Sequence, residues 1–94
     1  MKMAHEALIN NGFVIEAVWD DEAEVWVAES DDVPGLITEA DSRDQLIEKL
    51  AVLIPELLEL NNRTPDPHKP IDLTLRLHRA AVQSEERIRL PKAA

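Results

Sequence analysis

The stretch from Ala23 to Leu60, AEVWVAESDDVPGLITEADSRDQLIEKLAVLIPELLEL, carries the one long helical stripe in the chain. Leu46, Leu50, Leu53, Leu57 and Leu60 fall along one line, with Ile47, Ala51, Ile54 and Leu58 beside it. Gln45, Glu48, Lys49, Glu56 and Glu59 take the opposite side, interrupted by Val52. This is the pattern of a helix lying on an apolar surface. The other patterned segments alternate with a period of two, so a single helix must serve a whole sheet. One helix covers one face, and the other face is left bare.

The boundaries of this stretch are marked by local chemistry. Pro34-Gly35 fits positions i+1 and i+2 of a type II turn, where Gly takes positive φ without steric cost. Ser42-Arg43-Asp44-Gln45 has the spacing of a capping box, with the Ser42 hydroxyl accepting from the Gln45 amide and the Gln45 side chain reaching back. Pro55 costs about 3 kcal/mol inside a helix, against roughly 1.5–3 kcal/mol gained for each buried Leu or Ile. Leu57, Leu58 and Leu60 beyond it are expected to outweigh that cost, giving a kink or a restarted turn with the helix direction kept.

Four strands are predicted around this helix. Phe13 to Trp19 alternates, with Phe13, Ile15, Ala17 and Trp19 on one face and Val14, Glu16, Val18 and Asp20 on the other. The acidic loop Asp20 to Glu24 has hairpin length and joins it to Val25–Glu29, with position 24 wanting positive φ. Trp26 and Ala28 share a face opposite Val25 and Val27. The two tryptophans flank the loop, so they are expected to pack as a cross-strand or diagonal pair that pins the register. Leu36 to Ala40 is a short third strand. Prolines and asparagines make residues 61–70 a loop, and Ile71 to His78 then alternates cleanly.

The predicted organisation is a leader over residues 1–11, a β-β-β-α-β domain over 12–78, and a C-terminal tail over 79–94 in which Arg87 to Pro91 is a candidate short extra strand. The fold class is α+β: one helix packed on one face of a mostly antiparallel sheet, with the right-handed crossover rule placing the fourth strand parallel to the first. The uncovered face carries Val14 and Val18, with Val25 and Val27 as further candidates. A partly apolar sheet face left open on a small domain marks a contact with another chain.

Charge narrows the choice of partner. The chain has 19 Asp plus Glu against 10 Lys plus Arg, a net charge of −9. Such a surface repels phosphate backbones and suits a basic protein, so direct nucleic-acid binding is not expected. Without cysteine there is no disulfide frame, thiolate metal site or thiol nucleophile. The first residues lack the apolar run of a signal peptide and nothing reaches membrane-spanning length, which makes a cytoplasmic protein the expectation. So small a core gains from self-association, and a homodimer or higher homo-oligomer is expected.

No residue set forms a convincing active site. Glu16, Glu48 and Asp72 lie on the elements that supply magnesium-binding acids in ribonuclease H-like nucleases. The alternation aims Glu16 and Asp72 away from the helix that bears Glu48, so the three should not converge on one ion. Asp20, Asp21 and Glu22 with Asp31 and Asp32 lack the spacing of a calcium loop. His5, His68 and His78 lack metal-ligand spacing. Gly12 and Gly35 are the only glycines, which leaves no phosphate-cradling loop and no nucleophile elbow. The chain is expected not to be an enzyme and to need no cofactor. Its end, Glu86 to Lys92, is similar to the opening strand of a ribbon-helix-helix DNA-binding module, but the two helices of such a module are expected to be absent.

Several of these segments together carry a family resemblance. They are Val18-Trp19-Asp20-Asp21-Glu22, Val25-Trp26-Val27-Ala28, Asp32-Val33-Pro34-Gly35-Leu36, Glu39-Ala40-Asp41-Ser42, and the helix from Gln45 to Leu60 with its end Ile54-Pro55-Glu56-Leu57-Leu58-Glu59-Leu60. The region from Phe13 to Leu60 resembles the HicB-like antitoxin family, and within it a small HicB-related subgroup. Two positions depart from the family pattern: Glu24 stands where Gly is common, and Leu36 follows Pro-Gly where Cys or a similar residue is common. The C-terminal DNA-binding module of many members is also expected to be missing. The resemblance implies a partial ribonuclease H-like sheet without catalytic acids. It also implies a partner, a small basic mRNA-cleaving toxin of the HicA kind, neutralised by occlusion. The acidic hairpin residues Asp20, Asp21, Glu22 and Glu24, with Trp26, are the first candidates for that interface, while Pro34, Gly35, Ser42 and Gln45 are structural. The alternative is a non-catalytic homo-oligomeric or small-ligand-binding module.

Overall fold

A computed structural model describes residues 12–63 and 68–90. The leader over residues 1–11 and the position of Pro91 lie outside the described residues. Within them the chain forms β1 (Gly12–Asp20), β2 (Val25–Glu29), β3 (Ile37–Ala40), α1 (Arg43–Leu60), β4 (Ile71–Arg79) and β5 (Val82–Leu90). The strands make one sheet in the order β3-β2-β1-β4-β5. β1 runs antiparallel to β2 and parallel to β4, as the crossover through α1 requires, and β2–β3 and β4–β5 are antiparallel.

The core lies between α1 and one face of this sheet. Phe13, Ile15 and Ala17 of β1 stand opposite Leu73, Leu75 and Leu77 of β4, and all six are buried. Over them lies a row at four-residue spacing, Leu46, Leu50, Ile54 and Leu58, all fully buried. Ile47, Ala51, Leu53 and Leu57 are half-buried along its flanks. The helix is continuous through Pro55, so its direction is kept without a restarted turn. Leu60, counted above among the apolar residues that offset the proline, is 79% exposed. Leu58, with help from the half-buried Leu57, therefore carries that compensation.

Both ends of α1 are capped. At the start, the Gln45 amide donates to the Ser42 hydroxyl at 3.2 Å. At the finish, the Asn62 amide donates to the Glu59 carbonyl and the Arg63 amide to the Leu58 carbonyl, with Asn62 at φ 56°. This is a Schellman motif with asparagine in the position glycine usually fills.

The largest departure from the sequence reading is β5. Instead of a tail with a short strand at Arg87 to Pro91, residues 82–90 pair along the whole of β4, from Arg79↔Val82 to Ile71↔Leu90. The link is the two-residue turn Ala80-Ala81, with Ala80 at φ 54°. No glycine or asparagine marks it. β5 is an edge strand whose residues 82–85 are exposed, and only Ile88 and Leu90 touch the core, so its alternation is faint. β3 begins one residue later than expected because Leu36, 2% exposed, turns into the core instead of pairing.

Candidate functional site

Among the described residues, nothing covers the face of the sheet opposite α1. Residues opposite each other in a ladder point to the same side, so the registers lay out this face in rows. One row runs Ile37, Glu29, Glu16, Arg76, Glu85, and the next Glu39, Val27, Val18, His78, Gln83. Val18 is 53% and Ile37 73% exposed, Val14 and Val27 are half-buried, and Val25 is buried at 9%. The apolar character anticipated for this face is thus real at Val18 and absent from the accessible surface at Val25. The face is polarised as well. Its β1–β3 half presents valines and Ile37 among Glu16, Glu29 and Glu39, and its β4–β5 half presents Arg76, His78, Arg87 and Arg89 together with the acids Asp72 and Glu85.

Glu16 is where the two halves meet. It stands directly opposite Glu29, a like-charge pair that destabilises a ladder. Compensation comes from the strand on its other side. Arg76 Nη1 donates to Glu16 Oε1 at 3.1 Å, and His78 Nε2 lies 2.6 Å from Glu16 Oε2. Burial pushes the Glu16 carboxyl up, but the hydrogen bonds and charges of His78 and Arg76 together outweigh it and hold the group below its ordinary value. Arg76 Nε is buried without a hydrogen-bond partner, which leaves one donor of this cluster unused. A second pair, Arg89 Nε to Asp72 Oδ1 at 2.9 Å, lies near the far end of the same face.

The residues singled out in the acidic hairpin do not gather on this face. Asp20 organises its own loop, its Oδ1 accepting from the Glu22 and Ala23 amides at 3.0 and 3.1 Å. Asp21, Glu22 and Glu24 are exposed at the loop, with Glu24 at φ 56°, the backbone the loop length demanded. Trp26 is on the helix side, half-buried and packed against the core. It faces Trp19 edge-on with ring centroids 5.3 Å apart, and the Arg79 guanidinium lies 4.4 Å from the Trp19 centroid.

The turn after β2 is structural throughout. The β1–β2 ladder ends at Glu16↔Glu29, and beyond it side chains take over the pairing of β1. The Val14 amide donates to Asp32 Oδ2 at 2.8 Å, the Ser30 hydroxyl donates to the Val14 carbonyl at 2.5 Å, and the Asp32 amide donates to Ser30 Oγ at 3.1 Å. Val33 and Leu36 are buried on either side of Pro34-Gly35. The Leu36 amide closes the turn on the Val33 carbonyl at 3.1 Å, with Gly35 at φ 87°. Asn61 Nδ2 then ties this turn to the end of α1, donating to the Pro34 carbonyl at 3.1 Å and to the Leu57 carbonyl at 2.8 Å.

At the other end of the helix, Arg43 donates from Nε and Nη2 to both carboxylate oxygens of Glu86 at 2.5 and 2.6 Å, joining α1 to β5. That pairing holds the Glu86 carboxyl below its ordinary value. Glu16 and Asp72 lie on the uncovered face while Glu48 is exposed on the helix across the sheet, so the three acids do not converge. Among the described residues, no group of three or more His, Cys, Asp or Glu is placed to hold a metal ion. Nor, among them, is any helix long and apolar enough to cross a membrane.

One helix laid on a five-stranded mixed sheet defines an α+β domain whose other sheet face is bare among the described residues. The chain belongs to the family described as Domain of unknown function (DUF1902), which matches residues 12–87 and so takes in most of β5. Among solved structures it is similar to hypothetical protein TTHA1013 from the extremely thermophilic bacterium Thermus thermophilus. The two are 48% identical, with 76% of this chain and 94% of that chain covered and a TM-score of 0.59. No curated protein matches.

Proposed function

We propose that this is a HicB-like antitoxin of the cytoplasm, which binds a small basic mRNA-cleaving toxin of the HicA kind and occludes its catalytic surface. The observation that carries this reading is the β1–β3 half of the uncovered face. There the exposed Val18 and Ile37 sit among Glu16, Glu29 and Glu39. An apolar centre with a charged rim is the composition of a protein-binding patch, and the rim acids beyond Glu16, which Arg76 and His78 already hold, are complementary to a basic partner. The net charge of −9 adds long-range attraction of the same sign. In this reading the protein is not an enzyme, needs no cofactor and does not itself bind nucleic acid. The hairpin acids Asp21, Glu22 and Glu24 stand at one end of the sheet and steer the partner's approach.

The test is co-expression with the product of the neighbouring reading frame. The wild-type chain should relieve growth arrest, and the folded variant Val18→Arg/Glu29→Lys should not. If no neighbouring product is toxic, or if the wild type gives no relief, the antitoxin reading is wrong.

A second reading has its own observation. The acids Glu29 and Glu39 of one half are complementary to the arginines of the other, of which Arg76 and Arg89 are already paired to Glu16 and Asp72, so two copies could pack face to face through Arg87 in a non-catalytic oligomer. It predicts that Val18→Arg/Glu29→Lys changes the oligomeric state of the protein alone.

A further inference from the structure

β5 is an edge strand of nine residues, and its register with β4 is continuous, without a bulge. Its outer backbone groups have no strand partner among the described residues. Proteins commonly protect such an edge by shortness, charged side chains, proline, a bulge or a covering loop. The opposite edge, β3, is short, at four residues. β5 is long, contains no proline and leaves residues 82–85 exposed. Of these devices it has charges alone, which oppose unspecific pairing but whose order permits pairing with a strand of matching charge order.

We propose that the protein dimerises by antiparallel pairing of β5 with β5 of a second copy, about a two-fold axis at Glu86. In that register Glu85 of each copy stands opposite Arg87 of the other, so the opposite-charge pair occurs twice, and Val82 stands opposite Leu90. Glu86 meets its own copy at the centre, where each carboxylate is already held at both oxygens by its own Arg43. Centring the pair on either neighbouring residue sets Glu85 against Glu85 or Arg87 against Arg87, like charges with no such compensation. The charge order of the strand therefore favours the Glu86-centred register, which keeps all nine residues paired, over its two neighbours. Opposite residues share a face, so both helices lie on one side and the two uncovered faces join into one surface. Self-association through the edge leaves that face free, and the inference does not rest on the antitoxin reading.

Sedimentation equilibrium of the full chain, with folding followed by circular dichroism, tests it. The wild type should be a dimer. Arg87→Glu should weaken the dimer about tenfold or more by turning both pairs into like charges. The swap Glu85→Arg/Arg87→Glu should restore it, a rescue that loss of folding cannot mimic. The chain has no cysteine, so single thiols report the register. Glu86→Cys should form an inter-chain disulfide on oxidation. Arg87→Cys should not, because its two copies would be more than about 7 Å apart. A monomer at every concentration, an unrescued charge swap, or a dimer lost in Val18→Arg but not in Arg87→Glu would overturn the proposal.

Discussion

Asp32 accepts a hydrogen bond from the backbone amide of Val14, eighteen residues earlier, at 2.8 Å. A side chain in a turn thereby does the work of a missing strand residue, because β2 stops pairing with β1 at Glu29.

Asp32→Ala should leave the part-buried Val14 amide without its acceptor and lower unfolding free energy by about 1–3 kcal/mol. Asp32→Asn, which keeps a carbonyl oxygen, should cost less. Urea denaturation with an unchanged slope checks both; equal losses in the two variants would mean that the charge, not the hydrogen bond, matters.

Gly35→Ala should cost about 1–2 kcal/mol for backbone reasons alone. Gly35 has φ 87°, while an added Cβ would lie 3.6 Å from Leu57 Cδ2, an ordinary contact. Gly35→Asn should cost less than Gly35→Ala in the same thermal or urea titration, because asparagine tolerates this backbone. If space were the obstacle the order would reverse.

Trp26→Ala should destabilise the fold by about 3 kcal/mol, the low end for a packed tryptophan because the ring is half-buried. The same change should abolish any near-ultraviolet circular dichroism signal from its edge-on contact with Trp19. A variant that kept both stability and signal would place Trp26 outside the core.

Acid should weaken the fold through Glu16 and Glu86. Both carboxyls titrate below the ordinary value of 4.5 in the folded protein. Their stabilising contribution is therefore complete above that value and is lost as pH falls through the folded values. Stability measured from pH 6 downwards should drop below about pH 4.5, and Glu16→Gln/Glu86→Gln should flatten that drop. Both groups are more than a third exposed, so salt should reduce the effect.

What could be read from the sequence was local. The positive φ of Glu24, the Pro34-Gly35 turn, the Ser42 cap and the Trp19–Trp26 pair each follow from a few neighbouring residues, and all four are in the structure. The uncovered face was also legible, because one helical stripe and several alternating strands permit nothing else. The Glu16–Arg76–His78 cluster was not. It depends on the register between β1 and β4, which no alternation pattern sets to the residue. The role of Asp32 was hidden for a related reason, since it follows from where β2 stops. β5 was missed because an edge strand with an alanine turn carries neither a glycine mark nor an apolar period.

The parallel seam between β1 and β4 has a consequence for how the chain reaches this state. Glu16 and Arg76, which meet across it, are sixty residues apart in sequence. Every other strand pairing joins neighbours in the chain: β1 with β2, β2 with β3, β4 with β5. The fold is thus two locally wired halves, residues 12–63 and 68–90, whose only ladder in common is at the centre of the sheet. Closing that ladder is the non-local, slow step. Doubling the length of the connection after α1 would add only about 0.6 kcal/mol of closure entropy. The proline-rich connector is accordingly the natural place to cut the gene in two and ask whether the halves find each other in solution.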